Sequence, residues 1–136
     1  MILLDANILM YAAGAEHPNK APSLALLERI ARGSVDAGAD VEVLQEILHR
    51  YRAMGRWQDG RRVFDLARTI VPTWHAVDLV VLERARELLD QYPALTARDA
   101  LHAAVYFRVG ASALCSFDRD FDSVRGLVRV EPSEAE

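Results

Sequence analysis

The sequence predicts one α/β domain, a central parallel β-sheet flanked by helices on both faces. Three observations carry that expectation. Short β-type runs alternate with helical segments, the signature of successive strand–helix–strand units. The runs at Met1 to Leu4 and Ala111 to Ser116 are apolar without alternation, as strands covered on both faces are. A chain of 136 residues suits a single domain.

In chain order, Met1 to Leu4 reads as the first strand, and a helix begins near Ile8 and breaks at Gly14. Pro18 to Ala31 places Leu24, Leu27 and Ile30 at helical spacing and stops at Gly33. Val35 to Ala39 is a short, glycine-containing second strand. Asp40 is suited to cap a helix reaching Met54, with Val43, Leu44, Ile47, Leu48 and Tyr51 as its apolar stripe. Trp57 to Ile70 is a further helix and Thr73 to Val77 a strand, after which Asp78 caps a helix running to Gln91. Thr96 opens a largely apolar helix that closes at Gly110. Ala111 to Ser116 and Leu127 to Val130 complete the sheet. The domain spans residues 1–130, with residues 131–136 as an acidic, frayed tail.

Composition narrows the class. With 51% apolar and 26% charged residues the chain is an ordinary globular protein. Cys115 is the only cysteine, so no disulfide framework exists, and it reads as a buried strand residue. No run approaches the roughly 20 apolar residues of a membrane span, and Asp5 and Asn7 interrupt the apolar N-terminus, unlike a signal peptide. The expected location is cytoplasmic, with no membrane partner. A net charge of −4 argues against a general coating of nucleic acid. Between Arg50 and Arg68, however, six arginines face only Asp59 and Asp65. That segment reads either as a local basic face for a phosphate backbone or as a solvated helix surface.

Connectivity brings four distant acids together. Asp5 and Asp118 follow strands that end at the carboxyl edge of the sheet, where ligands of open α/β sheets bind. A helix that follows a strand directly starts at that edge, which places Glu46 there, about 9 Å along its axis. A helix that leads into a strand through a tight turn, as at Gly110, also starts there, which places Asp99. Each acid has an ordinary alternative: a turn pair for Asp5 with Asn7, an ion pair of Glu46 with Arg50, a capping box of Asp99 with Thr96, and a solvated turn for Asp118. Clustered like charges are costly without a cation, so their joint placement points to a divalent metal. The histidines show no ligand spacing. His102, three residues after Asp99, reads as a packed histidine or as one orienting a neighbour. An all-carboxylate set suits Mg²⁺ or Mn²⁺.

The segments Ile2-Leu3-Leu4-Asp5-Ala6-Asn7, Val43-Leu44-Gln45-Glu46, Ala97-Arg98-Asp99-Ala100-Leu101-His102-Ala103-Ala104 and Ser116-Phe117-Asp118-Arg119-Asp120-Phe121 resemble, in order, those of PIN-domain ribonucleases, most closely VapC-type toxins of toxin–antitoxin pairs. The resemblance implies a PIN-like domain and a Mg²⁺- or Mn²⁺-dependent endoribonuclease that blocks translation. It also implies an antitoxin partner and a homodimer. Asp5, Glu46, Asp99 and Asp118 match the acidic quartet of the family. Asp5, Asp99 and Asp118 match its metal ligands, Glu46 acts through water or a second metal, and Asn7 and Ser116 shape the site. Asp120 and Asp122 are left outside it. A catalytically silent PIN-like module that binds RNA or protein is the alternative. An aspartyl-phosphate enzyme is disfavoured, because such chemistry needs a late lysine and Lys20 is the only one.

Overall fold

A computed structural model describes residues 1–136. Its strands are β1 (Ile2–Leu4), β2 (Ala37–Asp40), β3 (Thr73–His75), β4 (Ala113–Cys115) and β5 (Arg129–Val130). Its helices are α1 (Ala6–Ala13), α2 (Lys20–Ala31), α3 (Val41–Ala53), α4 (Trp57–Ile70), α5 (Leu79–Gln91) and α6 (Ala97–Val109), and a 3-10 turn covers Arg119–Ser123. All strand pairs are parallel, in the order β3-β2-β1-β4-β5.

The chain moves outward from β1 through β2 to β3, then returns to the other side of β1 for β4 and β5. Right-handed crossovers require that reversal to change the face on which the helices lie. Alternating strand residues record the change. Ile2, Leu4, Ala37, Ala39, Ala113 and Cys115 pack with α1 to α4, whereas Leu3 and Leu114 pack with α5 and α6. The reversal falls between β1 and β4, so the carboxyl edge opens into a crevice there.

Local chemistry sets the element ends that matter. Glu42 N–H donates to Asp40 Oδ1 at 3.0 Å, starting α3 with no intervening loop. A reciprocal capping box opens α6: Asp99 N–H donates to Thr96 Oγ1 at 3.2 Å, and Thr96 N–H to Asp99 Oδ2 at 3.1 Å. Gly110 closes α6 in the left-handed region (φ 64°), turning the chain directly into β4.

The expected elements are present, most with ends shifted by one or two residues, and two differences matter for the site and the core. β2 runs Ala37–Asp40 rather than Val35 to Ala39, so Asp40 both ends a strand and caps a helix. Gly38 in this strand has a packing reason: a Cβ there would lie 2.9 Å from Met1 Sδ and 3.2 Å from His75 Nε2. The acidic tail is not frayed. Glu134 N–H donates to the Glu131 carbonyl at 2.9 Å, and Ala135 enters the main core. No helix is long and apolar enough to cross a membrane.

Candidate active site

Asp5, Glu46, Asp99 and Asp118 all line one cleft of about 650 Å³ at the carboxyl edge, together with Asn7, Thr96 and two arginines. Asp5, at 7% exposure, is the most buried carboxylate among them. It leaves the end of β1 with its N–H donating to the Cys115 carbonyl at 3.0 Å. Its Oδ2 accepts from Ser116 Oγ at 2.6 Å. Ser116 Oγ in turn accepts from Asn7 Nδ2 at 3.1 Å and from Asp118 N–H at 3.0 Å. One buried hydroxyl thus ties together the ends of β1 and β4 and the start of α1.

The carboxylates form two groups in the cleft. Oxygens of Asp5 and Glu46 lie with a ring nitrogen of His102 within 4.8 Å of one another, and oxygens of Asp99, Asp118 and Asp120 do the same. Asp120 is therefore closer to the cluster than its place in an acidic turn suggested. Its backbone N–H also donates to Asp118 Oδ1 at 2.9 Å, which starts the 3-10 turn. Asp99 serves as a helix cap and a cleft wall at once, so its two readings are compatible. Glu46 pairs with Arg98, at 3.4 Å, and not with Arg50; Arg98 also reaches Glu42 at 3.2 Å.

Electrostatics reflects the crowding. Burial, then the nearby Asp5 charge, raises Glu46 above the usual carboxylate range, while Arg98, His102 and Arg50 pull it back. Burial also raises Asp99; the Thr96 hydrogen bonds oppose this, and the charges of Asp118 and Asp5 add to it. His102, 1% exposed, lies under the cleft floor. Its Nδ1 donates to Asp40 Oδ2 at 2.6 Å, and its Nε2 lies 3.9 Å from Asp5 Oδ1 with no hydrogen-bond partner. Burial alone would lower this imidazole, but the charge and hydrogen bond of Asp40, then Asp5 and Glu46, raise it to about 9. His102 therefore serves Asp40 and Asp5, not Asp99. Sequence spacing missed the contact because Asp40 and His102 are 62 positions apart.

The residues fit a divalent cation. The donor set is oxygen-rich, and Asn7 Oδ1 on the cleft wall is buried with no partner. Cys115 offers no competing ligand, because burial pushes its thiol up to about 12. Lys20 is elsewhere, donating to the Gly14 carbonyl at 2.6 Å, which leaves no lysine for phosphoryl chemistry.

The sequence model of the PIN domain matches residues 2–127. The chain belongs to the PIN domain family. It is 43% identical over 130 residues, 96% of this chain and 99% of the relative, to ribonuclease VapC13 of Mycobacterium tuberculosis. Its fold matches the crystal structure of M. tuberculosis VapC20, a sarcin–ricin loop cleaving toxin, with a TM-score of 0.79 and 21% identity over 97% of this chain and 100% of that one. A toxin–antitoxin complex from Klebsiella pneumoniae matches with a TM-score of 0.68 and 18% identity, over 97% and 98% of the two chains. As a PIN domain of the VapC ribonuclease type, the chain carries its acids where the sheet reverses direction.

A carboxylate whose folded pKa is raised contributes stability that is lost as pH rises through that value, so ionised Asp99 destabilises the metal-free protein at neutral pH. Asp99→Asn keeps an acceptor for Thr96 N–H and is expected to raise metal-free stability by about 1–2 kcal/mol in urea unfolding at pH 7. It should also remove most of the stabilisation by Mn²⁺; an unchanged Mn²⁺ effect takes Asp99 off the ligand set. His102 differs in that its charged form is the stabilising one. Its raised pKa contributes stability that is complete below about 6.5 and lost as pH rises through about 9. His102→Gln is expected to cost about 3 kcal/mol at pH 6 and clearly less at pH 9.5. Equal losses at both pH values would contradict the charged pairing with Asp40.

Proposed function

We propose that the chain is a metal-dependent endoribonuclease toxin of a toxin–antitoxin pair, cutting RNA phosphodiester bonds and so blocking translation and growth. The observation that carries this reading is the convergence of Asp5, Glu46, Asp99 and Asp118 in one cleft of a VapC-type PIN domain. Asp5, Asp99 and Asp118 would hold Mg²⁺ or Mn²⁺, with Asn7 and Ser116 supporting the site. A bound divalent cation supplies charge neutralisation at the phosphate and an acidified water.

The side chains supply the remainder. Ser116 and Asn7 hold Asp5 in one orientation, so its carboxylate need not reorganise. Glu46, with its pKa raised by burial and then by the Asp5 charge, would accept the proton of the attacking water. Arg98 keeps Glu46 anchored on the cleft wall.

Two apolar surfaces extend this reading to partners. Leu9, Leu24, Leu27, Val63, Leu66 and Ile70 line an apolar groove of about 210 Å³ between α1, α2 and α4, suited to an amphipathic antitoxin helix. The solved Klebsiella relative, a toxin–antitoxin complex, supports such a partner. An antitoxin arginine placed among the cleft carboxylates would exclude the cation. On α5, Leu79, Val80 and Leu82 are exposed by 69%, 63% and 50%, an apolar row that suits a second copy of the chain.

Wild-type protein is expected to cleave cellular RNA with Mg²⁺ or Mn²⁺ and to stop with EDTA. Asp5→Asn should lose at least 100-fold in rate, of the order seen when one preorganised charge contact is removed. RNA that is bound but never cut, with metal present, would favour the silent binding module instead. Light scattering is expected to give twice 15.2 kDa for the chain alone. With coexpressed antitoxin it should give a larger complex that no longer binds Mn²⁺. A 15.2 kDa species, or a complex that binds Mn²⁺ as the free toxin does, would contradict the dimer or the blocking arginine respectively.

A further inference from the structure

The arginine-rich segment does not form one basic face. Arg52 lies over the Trp57 ring at 5.6 Å, Arg68 over Trp74 at 6.0 Å, and Arg61 and Arg62 border a separate hollow on α4. Arg50 and Arg56 are placed differently. Both line a cavity of about 260 Å³ that adjoins the acidic cleft, and Arg50, Asn7 and Met10 belong to the walls of both.

The cleft has two cationic side chains, Arg50 and Arg98. Arg98 is engaged by Glu42 and Glu46 at 3.2 and 3.4 Å. Arg50 is exposed and has no ion-pair partner within 4.0 Å, although it stands among carboxylates. It is the uncommitted positive charge of the cleft. Beyond it the cavity wall turns apolar and aromatic, with Met10, Tyr11, Tyr51 and Met54. The Tyr11 ring is fixed by Phe117, edge-on at 5.3 Å, and by His17 at 4.6 Å. Arg56 closes the far side, its Nε donating to Asp59 Oδ2 at 2.9 Å and its guanidinium 5.8 Å from the Tyr51 ring.

We propose that this cavity is a subsite for the nucleotide next to the scissile phosphate of a single-stranded RNA. Arg50 binds its phosphate, and the apolar wall of Met10, Tyr11 and Met54 receives its base. The assignment rests on the ribonuclease reading of the adjoining cleft. Its chemistry is that of phosphate-positioning arginine beside a base-receiving apolar surface. An acidic cleft repels a phosphodiester, so a protein cation one phosphate away gives the strand its register. A duplex would keep its bases stacked and could not fill the cavity.

The test uses a fluorescein-labelled ten-nucleotide oligouridylate and full-length Asp5→Asn protein with Mg²⁺, read by anisotropy across a KCl series. Adding Arg50→Gln is expected to weaken binding about tenfold and to lower the salt slope by about one phosphate contact. Arg50→Lys should restore the slope. Arg32→Gln, at the opposite edge of the sheet, should change neither quantity. Melting temperatures check that the exposed substitutions leave the fold intact. An Arg50→Gln protein that binds like its parent overturns the subsite, as does an equal loss in Arg32→Gln or a parent that does not bind the oligomer. RNA cleavage by the wild type is measured separately. Cleavage together with an Arg50-independent affinity removes the subsite and leaves the ribonuclease reading standing. Absence of cleavage with Mg²⁺ or Mn²⁺ removes that reading, while the anisotropy series still judges the subsite.

Discussion

The hydrogen bond from Ser116 Oγ to Asp5 is the contact on which the site depends. Asp5 ends the central strand, is nearly buried, and faces other carboxylates across the cleft. Left to itself such a group would swing away from the other carboxylates. Ser116, held on the neighbouring strand and itself receiving Asn7 and the Asp118 N–H, prevents this by fixing one oxygen. Because β1 and β4 flank the reversal of the sheet, the same bond also joins the two strand ends that border the crevice.

Around that bond, charge is distributed in layers. Asp40 and His102 form a buried pair under the floor, with the histidine facing Asp5. Glu46 and Arg98 form the wall, and Asp99, Asp118 and Asp120 the outer rim. The positive groups are each committed to an acid except Arg50. Burial and the neighbouring carboxylates leave Glu46 and Asp99 with raised pKa values, so these compensations are incomplete and a cation in the cleft would offset the remainder.

Much of this was legible before any coordinates. Asp5 and Asp118 follow apolar strands, and Gly110 leaves α6 no choice but to begin at the same edge; connectivity alone gathered the quartet. What escaped was side-chain reach across sequence distance. Arg98 displaced Arg50 as the partner of Glu46 because α6 lies against α3, a tertiary contact that helical spacing cannot reveal. The role of His102 was hidden for the same reason, since its partner sits on a different strand. The weak appearance of β2 had in part a packing cause: Met1 and His75 crowd Gly38, so no side chain fits at that position. The docking of Ala135 leaves no local sign in a short acidic tail.

The most direct measurement is manganese anomalous scattering from crystals of the full chain soaked in MnCl₂. A peak bounded by Asp5, Asp99 and Asp118 is the expected result, and it should vanish in Asp5→Asn crystals. Saturating Mn²⁺ that yields no peak in the cleft, or one held by other residues, would contradict the gathering of these acids around a cation.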